Sequence, residues 1–466
     1  MIHGRDRMTW HELSVRIATL GLAIRSRLAG RGTRVALQIS DPFAFVSTFI
    51  GTVAAGAAAV PIPERIGAEN LCRLREDCRP ELFIADADWP RLAAEAVERG
   101  PMDEYAASAC AADQDMTILY SSGTTGQPKG TVHTALGRAY AAARLIGEYG
   151  MTPSSRALIT APLYTARALS PIIATLVAGG IAVIADRLEP RQLLQALAEH
   201  EPTTLDLVPT QFVMLLDDPG FSPTLFRSCE YVLCTGSALD RPLAAELFRL
   251  LPDSFVEGYG STETDHVSVS KRRAPAHERG SVGTPAPDID LRVLDEHRRP
   301  VAPGDVGELA VASGSNMTRY INAEWTERQF LRVQGRDFFL TGDLGRIDPD
   351  GNLWLAGRVK DMIVTSGFNI YAVDLESVLR GHPAIADVAV VGVPHRVLGE
   401  TPLAFVVLRA GVPQPTEAEL CGWANARLDK NQRLLGVVVI ERIPTNASGK
   451  PLKEALRARV ARAGPA

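Results

Sequence analysis

The sequence predicts an α/β fold: a large N-terminal domain of layered α/β sheets with a small β subdomain, followed by a small α+β C-terminal domain. Three observations lead there. The 466 residues exceed the roughly 250 to 300 at which a single core stops growing, so two or more domains are expected. Short apolar runs of strand length alternate with helical stretches from Arg34 to Cys234, the order of a sheet covered by helices. From about Asp288 the runs shorten and turn residues separate them, which reads as antiparallel strands.

In chain order, Thr9 stands where a helix N-cap belongs, with Glu12 three residues on, and Leu13, Ile17, Leu20, Leu22 and Ile24 continue at near-helical spacing. Arg34 to Ile39 reads as a buried strand, Gly51 to Ala59 as the close-packed end of a helix before Val60-Pro61-Ile62-Pro63, and Leu82 to Ala85 as a further strand. Residues 88 to 114 are expected to form a helix plus loop leading into a strand, Met116 to Tyr120. Strands are then expected at Ala157 to Thr160, Ile181 to Ile184, Leu205 to Val208 and Tyr231 to Cys234, with a helix at Pro190 to His200. The β subdomain should contain Ile289 to Val293, Gly307 to Val311, and a pair, Leu344 to Ile347 and Leu353 to Ala356, joined by Asp348-Pro349-Asp350-Gly351. Beyond residue 359, strands are expected near Val388 to Val391, Leu403 to Leu408 and Val437 to Ile440, with a helix near Glu417 to Leu428.

Composition narrows the class. Hydrophobic residues make up 46% and charged residues 22%, ordinary for a soluble enzyme, and a net charge of −5 offers no basic face for nucleic acid. Cys72, Cys78, Cys110, Cys229, Cys234 and Cys421 form no C-x-x-C pair and have no His at metal spacing, which points to free thiols in a reducing cytoplasm. The N-terminus lacks an apolar signal core, and the run from Phe49 to Pro61 is too short to span a bilayer. A soluble cytoplasmic protein is expected, with neither nucleic acid nor membrane as partner.

The stretch Leu119-Tyr120-Ser121-Ser122-Gly123-Thr124-Thr125-Gly126-Gln127-Pro128-Lys129-Gly130 suits a polyphosphate. Gly123 and Gly126 are free to take positive φ so that N–H groups converge on an anion, the four hydroxyls add donors, and Lys129 supplies charge. It is not the common P-loop, because Lys129 lies beyond the residue that follows Gly126. A Ser/Thr/Gly stretch after a strand also forms plain surface turns, so the loop alone leaves both readings open.

Three more segments carry chemistry. In Gly258-Tyr259-Gly260-Ser261-Thr262-Glu263, the tyrosine between two glycines suits an aromatic face exposed for an adenine to stack on, or else a turn with a half-buried ring. Thr262 brings a hydroxyl near phosphate and Glu263 a carboxylate able to hold Mg²⁺. Asp343, in Thr341-Gly342-Asp343, can accept from the two cis hydroxyls of a ribose, with Arg358 of Gly357-Arg358-Val359-Lys360-Asp361 reaching ribose or α-phosphate. Either could instead be half of a surface salt bridge. Lys450, in Pro444-Thr445-Asn446-Ala447-Ser448-Gly449-Lys450, would on its own be a solvated charge.

Together and in this order, over roughly residues 10 to 455, these segments resemble the superfamily of adenylate-forming enzymes: acyl-CoA synthetases, nonribosomal peptide adenylation domains and luciferases. The resemblance implies an N-terminal adenylation domain, 1–358, hinged at Lys360 to a mobile C-terminal domain, 359–466. By that resemblance the domain would deliver Lys450 to the α-phosphate as the catalytic lysine and then rotate for thioester formation. It implies that Ser121, Ser122, Gly123, Thr124, Thr125, Gly126, Lys129, Gly236, Ser237, Ala238, Glu257, Gly258, Tyr259, Gly260, Thr262, Asp343, Arg358, Asn369 and Lys450 bind ATP or AMP. Lys129, Thr262 and Glu263 would act in catalysis beside Lys450, with Glu263 on the metal. Ser366, Gly367 and Phe368 would line the CoA tunnel, Gly367 leaving room for a pantetheine arm. Tyr164, Thr165, Arg167, Ala168, Gly236 and Gly260 would line the acid pocket.

ATP, Mg²⁺ and CoA are thereby implied, with a small carboxylic acid as substrate, and a homodimer is one assembly the resemblance allows. The chain departs from relatives at Ala372, where they commonly carry Pro, and at Thr165, where many carry His or another aromatic. Amino-acid-activating members place an Asp in the first pocket stretch, and none lies between Ala161 and Ser170, so an acid without an α-amino group is expected. The guanidinium of Arg167 would suit a second carboxylate or polar tail, or turn to solvent or a neighbouring Asp. The expected function is an acid–CoA ligase that makes an acyl-adenylate and pyrophosphate, then releases AMP to CoA thiolate. Its rivals are transfer to a carrier protein's phosphopantetheine, and a nucleotide-binding protein that has lost catalysis. Intact Lys129, Glu263, Asp343, Arg358 and Lys450 speak against the last.

Overall fold

The computed structural model describes residues 1–30, 32–99, 111–121, 129–185, 189–270, 280–366, 368–445 and 451–463. Contacts divide the chain into two compact units. The first holds Met1–Gly123, Gln127–Asp290 and Val311–Phe339, and the second holds Leu291–Ala310 and Leu340–Ala466.

Two sheets build the first unit. One has nine strands in the order β14-β13-β12-β11-β10-β8-β9-β1-β2: β1 (Ile2–His3), β2 (Asp6–Arg7), β8 (Arg156–Ile159), β9 (Ile181–Ile184), β10 (Thr204–Leu207), β11 (Tyr231–Cys234), β12 (Phe255–Ser261), β13 (Asp265–Val269) and β14 (Thr284–Pro285). The other has six in the order β17-β7-β6-β4-β3-β5: β3 (Arg34–Gln38), β4 (Ala58–Pro61), β5 (Leu82–Ala85), β6 (Asp115–Ser121), β7 (Lys129–Thr134) and β17 (Arg319–Tyr320). Most pairs are parallel, and β4 and β11 are buried at every residue, as strands covered on both faces must be.

Helices fill the space between the sheets. Trp10–Arg25, Pro42–Ala54, Ala135–Tyr149 and Ala166–Val177 place Leu20, Ile24, Phe45, Phe49, Leu145 and Leu169 in one core with Leu37 and Leu119 of one sheet and Ile159 and Leu233 of the other. A second core covers the far face of the nine-stranded sheet, where Leu193, Phe212 and Leu247 pack on Val232. Thr9 caps the first helix through the reciprocal pair with Glu12 that the sequence announces. The reading of Gly51 to Ala59 as a helix end needs correction. The helix stops at Ala54, and Ala58 and Ala59 already belong to β4, because a run of small buried residues carries no period that separates helix from strand.

A small antiparallel sheet in the order β15-β16-β19-β18, with β20 on β19, contains β15 (Asp290–Leu294), β16 (Gly307–Ala312), β18 (Phe330–Val333), β19 (Arg336–Ile347) and β20 (Leu353–Arg358). Then follow β21 (Met362–Thr365), β22 (Phe368–Tyr371), β23 (Ile385–His395), β24 (Gly399–Leu408) and β25 (Gly436–Val439), in the order β22-β21-β24-β23 with β25 on β24. Helices Ala372–Arg380 and Glu417–Asn425 bury Leu375, Leu379, Leu420 and Ala424 with Val388, Val390 and Val406. Leu456, from helix Lys453–Ala463, packs with Val391 and Phe405 of the same sheet. Among the described residues, no helix is long and apolar enough to cross a membrane, and Cys72, Cys78, Cys229, Cys234 and Cys421 form no disulfide. Cys110 lies outside those residues.

Candidate active site

The expected phosphate loop is the connection of an antiparallel hairpin. Strands β6 and β7 pair from Asp115↔Thr134 to Ser121↔Lys129, so the loop leaves the sheet at Ser121 and returns at Lys129. Ser122, Gly123, Thr124, Thr125 and Gly126 lie outside the described residues. Gly130 packs closely, since a Cβ there would stand 2.7 Å from Ile321 Cδ1 and 3.0 Å from Tyr120 Cζ, and the Ile321 side chain would have to move. Lys129 and His133, four residues apart on β7, share one face of the strand. The ammonium of Lys129 lies 5.2 Å from the Tyr320 ring centroid and 5.5 Å from that of Trp325, within cation–π range.

Gly258 to Ser261 lie on β12, which turns through Thr262, Glu263 and Thr264 into β13. Gly260 is a true close approach, because a Cβ there would collide with the Asp265 carbonyl. Tyr259 is only 9% exposed, so the open aromatic face expected between the glycines is largely covered, with its backbone paired to Ser268. Glu263 accepts from the Tyr320 hydroxyl at Oε1, 3.1 Å away, and His133 donates from Nε2 to Thr262 O at 2.9 Å. Burial, then the neighbouring Glu263 carboxylate, pushes the Tyr320 phenol up. Burial, with Arg138 beside it, holds the His133 imidazole well below its ordinary value, so it is neutral.

Among the described residues, Tyr320 engages only Oε1 of Glu263, and no group of three or more His, Cys, Asp or Glu side chains could hold a metal. A single carboxylate completed by phosphate oxygens is the usual donor set for nucleotide-bound Mg²⁺, and Glu263 fits that role. Tyr320, Trp325 and His133 escaped the sequence reading. Tyr320 and Trp325 stand far from the motifs along the chain, His133 lies just past the phosphate loop, and neither a period nor a spacing marks any of them.

Other candidates collect past the carboxyl ends of parallel strands, where α/β sheets bind ligands. After β11, Gly236 takes φ +91°, and Ser237 and Ala238 follow it. Glu257 is 4% exposed on β12, its carboxylate held by Arg241 at 3.2 Å, and burial pushes its carboxyl up. After β8, Thr165 donates its hydroxyl to Pro162 O at 2.7 Å and precedes helix Ala166–Val177, while Ala168 is buried in the core beside it. Tyr164 is half-buried. Arg167 turns to Asp206: Nε donates to Oδ2 at 3.1 Å and Nη2 to the carbonyl at 3.4 Å, while Thr235 donates to Oδ1 at 2.8 Å. A Cβ on Gly236 would stand 3.9 Å from the Arg167 guanidinium, so the two border one another.

In the second unit, Asp343 and Arg358 face each other across the β19–β20 pair, with Arg358 Nε 2.9 Å from Asp343 Oδ1. The turn before Asp343 is set by Gly342 at φ +70° and by the Thr341 hydroxyl, which accepts from Asp343 N at 3.0 Å. Lys360 sits in the short 3₁₀ turn Val359–Asp361, and burial lowers its ammonium. Arg457 binds there, donating to Asp361 Oδ1 at 2.8 Å and Lys360 O at 3.3 Å. Ser366, at φ +49°, begins the tight connection between β21 and β22, and Phe368 and Asn369 open β22 with Phe368 54% exposed. Gly367 and Lys450 lie outside the described residues. Thr445 and Pro451, on either side of the Lys450 segment, form an antiparallel bridge.

The AMP-binding enzyme family matches residues 1–321, and the AMP-binding enzyme C-terminal domain matches residues 374–450. The chain belongs to this adenylate-forming family, within its acyl-CoA ligases. It is 31% identical to a feruloyl-CoA synthase of an Amycolatopsis species, over 98% of this chain and 95% of that protein. It is 28% identical to the fatty acid–[acyl-carrier-protein] ligase ScoC of Streptomyces coeruleorubidus, over 97% and 91%. Among solved structures, ATP-bound MatB from Rhodopseudomonas palustris matches with a TM-score of 0.87 at 27% identity, covering 98% of this chain and 94% of that one.

Proposed function

We propose that this enzyme, an ATP-dependent acid–CoA ligase acting through an acyl-adenylate, takes a carboxylic acid without an α-amino group and passes its acyl group to free CoA. The observation that carries the reading is the convergence of Lys129 and Glu263 on Tyr320, which sets a cation for phosphate oxygens beside a carboxylate for their metal. In the first half-reaction a carboxylate oxygen of the acid attacks the α-phosphorus of ATP and pyrophosphate leaves. Lys129 and the hairpin loop hold the leaving phosphates, Thr262 adds a hydroxyl, and Asp343 and Arg358 take the ribose and α-phosphate. Glu263 would hold Mg²⁺, whose chemistry there would be to neutralise phosphate charge. Lys450, carried by the C-terminal domain 359–466, stabilises charge at the α-phosphate.

Rotation at Lys360 then brings Ser366, Gly367 and Phe368 to the acyl-adenylate. There the CoA thiolate attacks the acyl carbon and AMP leaves. The absence of an acidic residue from Ala161 to Ser170 supports an acid without an α-ammonium, and Asp206, which Arg167 touches, is already occupied by Arg167 and Thr235. The likeness to a feruloyl-CoA synthase makes aryl acids the first substrates to test, and the likeness to ScoC makes a carrier-protein thiol the second acceptor.

A panel of carboxylic acids is assayed for pyrophosphate release, with and without CoA. Acid-dependent pyrophosphate and CoA-dependent thioester are the expected result. Thioester formed only on a carrier protein would move the acceptor, and turnover of amino acids but not of their deaminated analogues would overturn the substrate class.

A further inference from the structure

The turn that carries Thr262 and Glu263 is held at each carbonyl. Thr262 O accepts from His133 Nε2 at 2.9 Å, Glu263 O from Met317 N at 2.7 Å, Thr264 O from Ser315 Oγ at 3.3 Å, and Asp265 O from Thr264 Oγ1 at 3.1 Å. Asp265, which ends the turn, takes φ +58°, a left-handed conformation that side-chain-bearing residues seldom adopt. Its carboxylate accepts from Ser170 Oγ at 2.9 Å, from Arg138 Nη1 at 3.4 Å and from His266 N at 2.9 Å. Arg138 Nη1 also donates to Ser170 Oγ at 3.1 Å. Arg138 is 2% exposed and Asp265 6%.

A buried ion pair is weak evidence for stability, since apolar residues of similar volume often serve as well. Here, however, the pair fixes a residue in the left-handed region, where even Asp is uncommon, and such conformations concentrate at functional sites. The topology says what it fixes. Arg138 lies in helix Ala135–Tyr149, which follows β7 directly, and β7 begins with Lys129 and carries His133. Two buried links, His133 to Thr262 and Arg138 to Asp265, therefore tie the Lys129 strand to the Glu263 turn.

We propose that Asp265, clamped by Arg138 and Ser170, is a positioning residue for adenylation that keeps Thr262 and Glu263 in register with Lys129. The inference rests on the reading of Lys129 and Glu263 as ATP- and Mg²⁺-binding groups. Three full-length variants test it. Asp265→Asn keeps an acceptor for His266 N, can donate its amide N–H to the Ser170 hydroxyl, leaves Arg138 without a counter-charge, and tolerates the left-handed conformation. Arg138→Met/Asp265→Gly removes both charges together and places glycine at the left-handed position, so no unpaired buried charge remains while the clamp is lost. Ser170→Ala leaves the charges paired and reads out should the double variant not fold.

Adenylation is followed by pyrophosphate release at varied Mg²⁺ and varied acid, with melting temperatures alongside. The double variant should lose roughly tenfold to a hundredfold in kcat, as a displaced catalytic group does. It should need more Mg²⁺ and keep its KM for the acid. Ser170→Ala should shift the same way by less, and Asp265→Asn should keep more of the rate than the double variant while melting lower, because Arg138 loses its counter-charge. Wild-type kcat and Mg²⁺ dependence in the double variant, or in Ser170→Ala where the double variant does not fold, would overturn the proposal. So would a loss confined to the KM of the acid. Failure of the wild-type enzyme itself to release pyrophosphate would instead sink the reading beneath it.

Discussion

Tyr320 donates its hydroxyl to Glu263 across 57 residues of sequence, at 3.1 Å, while its ring lies 5.2 Å from the ammonium of Lys129. One side chain thus touches both the candidate metal carboxylate and the candidate phosphate cation. Tyr320 can reach both because β17 adds to the edge of β7, setting Tyr320 opposite Thr131, two residues beyond Lys129.

Tyr320→Phe separates the two contacts, keeping the ring for Lys129 and removing the hydroxyl from Glu263. A hydrogen bond to a charged group contributes about 1.5 to 3 kcal/mol, and partial exposure of Glu263 puts the loss at the lower end, roughly tenfold in kcat/KM for Mg-ATP. Pyrophosphate release measured against Mg²⁺ concentration should need more Mg²⁺ for half-maximal rate. An unchanged Mg²⁺ titration would remove Tyr320 from any role in orienting that carboxylate.

His133 is one group through which acid lowers stability. Burial keeps its imidazole neutral in the folded protein well below the ordinary value of 6.5, whereas the unfolded chain takes up a proton there. The unfolded state binds the extra proton, so stability is unaffected above pH 6.5 and falls as pH drops below it, by about 1.4 kcal/mol for each pH unit until the folded imidazole titrates. His133→Gln keeps an N–H for Thr262 O but cannot protonate, so denaturant melts at pH 7 and pH 5.5 should lie closer together than in the wild type. Equal acid sensitivity in both proteins would assign it to other groups.

The layered α/β architecture was legible because strand and helix periods are local. So was the ordered set of motifs, since hydroxyls, glycines and single charges advertise their chemistry. Partnerships were not. The sequence shows Asp343 and Arg358 as separate ribose and phosphate candidates, yet the β19–β20 register places them directly opposite each other. It shows Lys129 at the end of a loop, whereas the β6–β7 hairpin makes it the first residue of a strand. Tyr259 was expected to present an open ring, and the pairing of β12 with β13 covers it. Each of these depends on which strands meet, a long-range outcome that no local spacing encodes.

The division of labour between half-reactions gives the next test. Lys450→Ala should abolish adenylation yet leave thioester formation from supplied acyl-adenylate largely intact, because the role proposed for the lysine is confined to the α-phosphate. Lys360→Pro fixes φ in the turn that Arg457 grips through Lys360 O and Asp361, and it should spare adenylation while suppressing transfer to the thiol. Single-turnover measurements of each half-reaction separate the two. Equal loss in both half-reactions for either variant would contradict alternation of the C-terminal domain.

Arg167 decides whether a second carboxylate is favoured. Its guanidinium is held by Asp206, whose other oxygen accepts from Thr235, so the cluster carries no net charge with which to select a dianion. Breaking a fully buried pair costs about 3 to 5 kcal/mol, but the side chains here are 25% and 14% exposed. Arg167→Ala should therefore cost about 1 to 2 kcal/mol of stability, from an Asp206 carboxylate left to Thr235 alone. Arg167→Ala/Asp206→Asn should regain most of it, because no unpaired charge remains. Mono- and dicarboxylic acids of equal length should lose kcat/KM in the same proportion with Arg167→Ala. A loss confined to dicarboxylic acids would show that the guanidinium keeps a free N–H for substrate despite Asp206, and would make Arg167 a specificity residue.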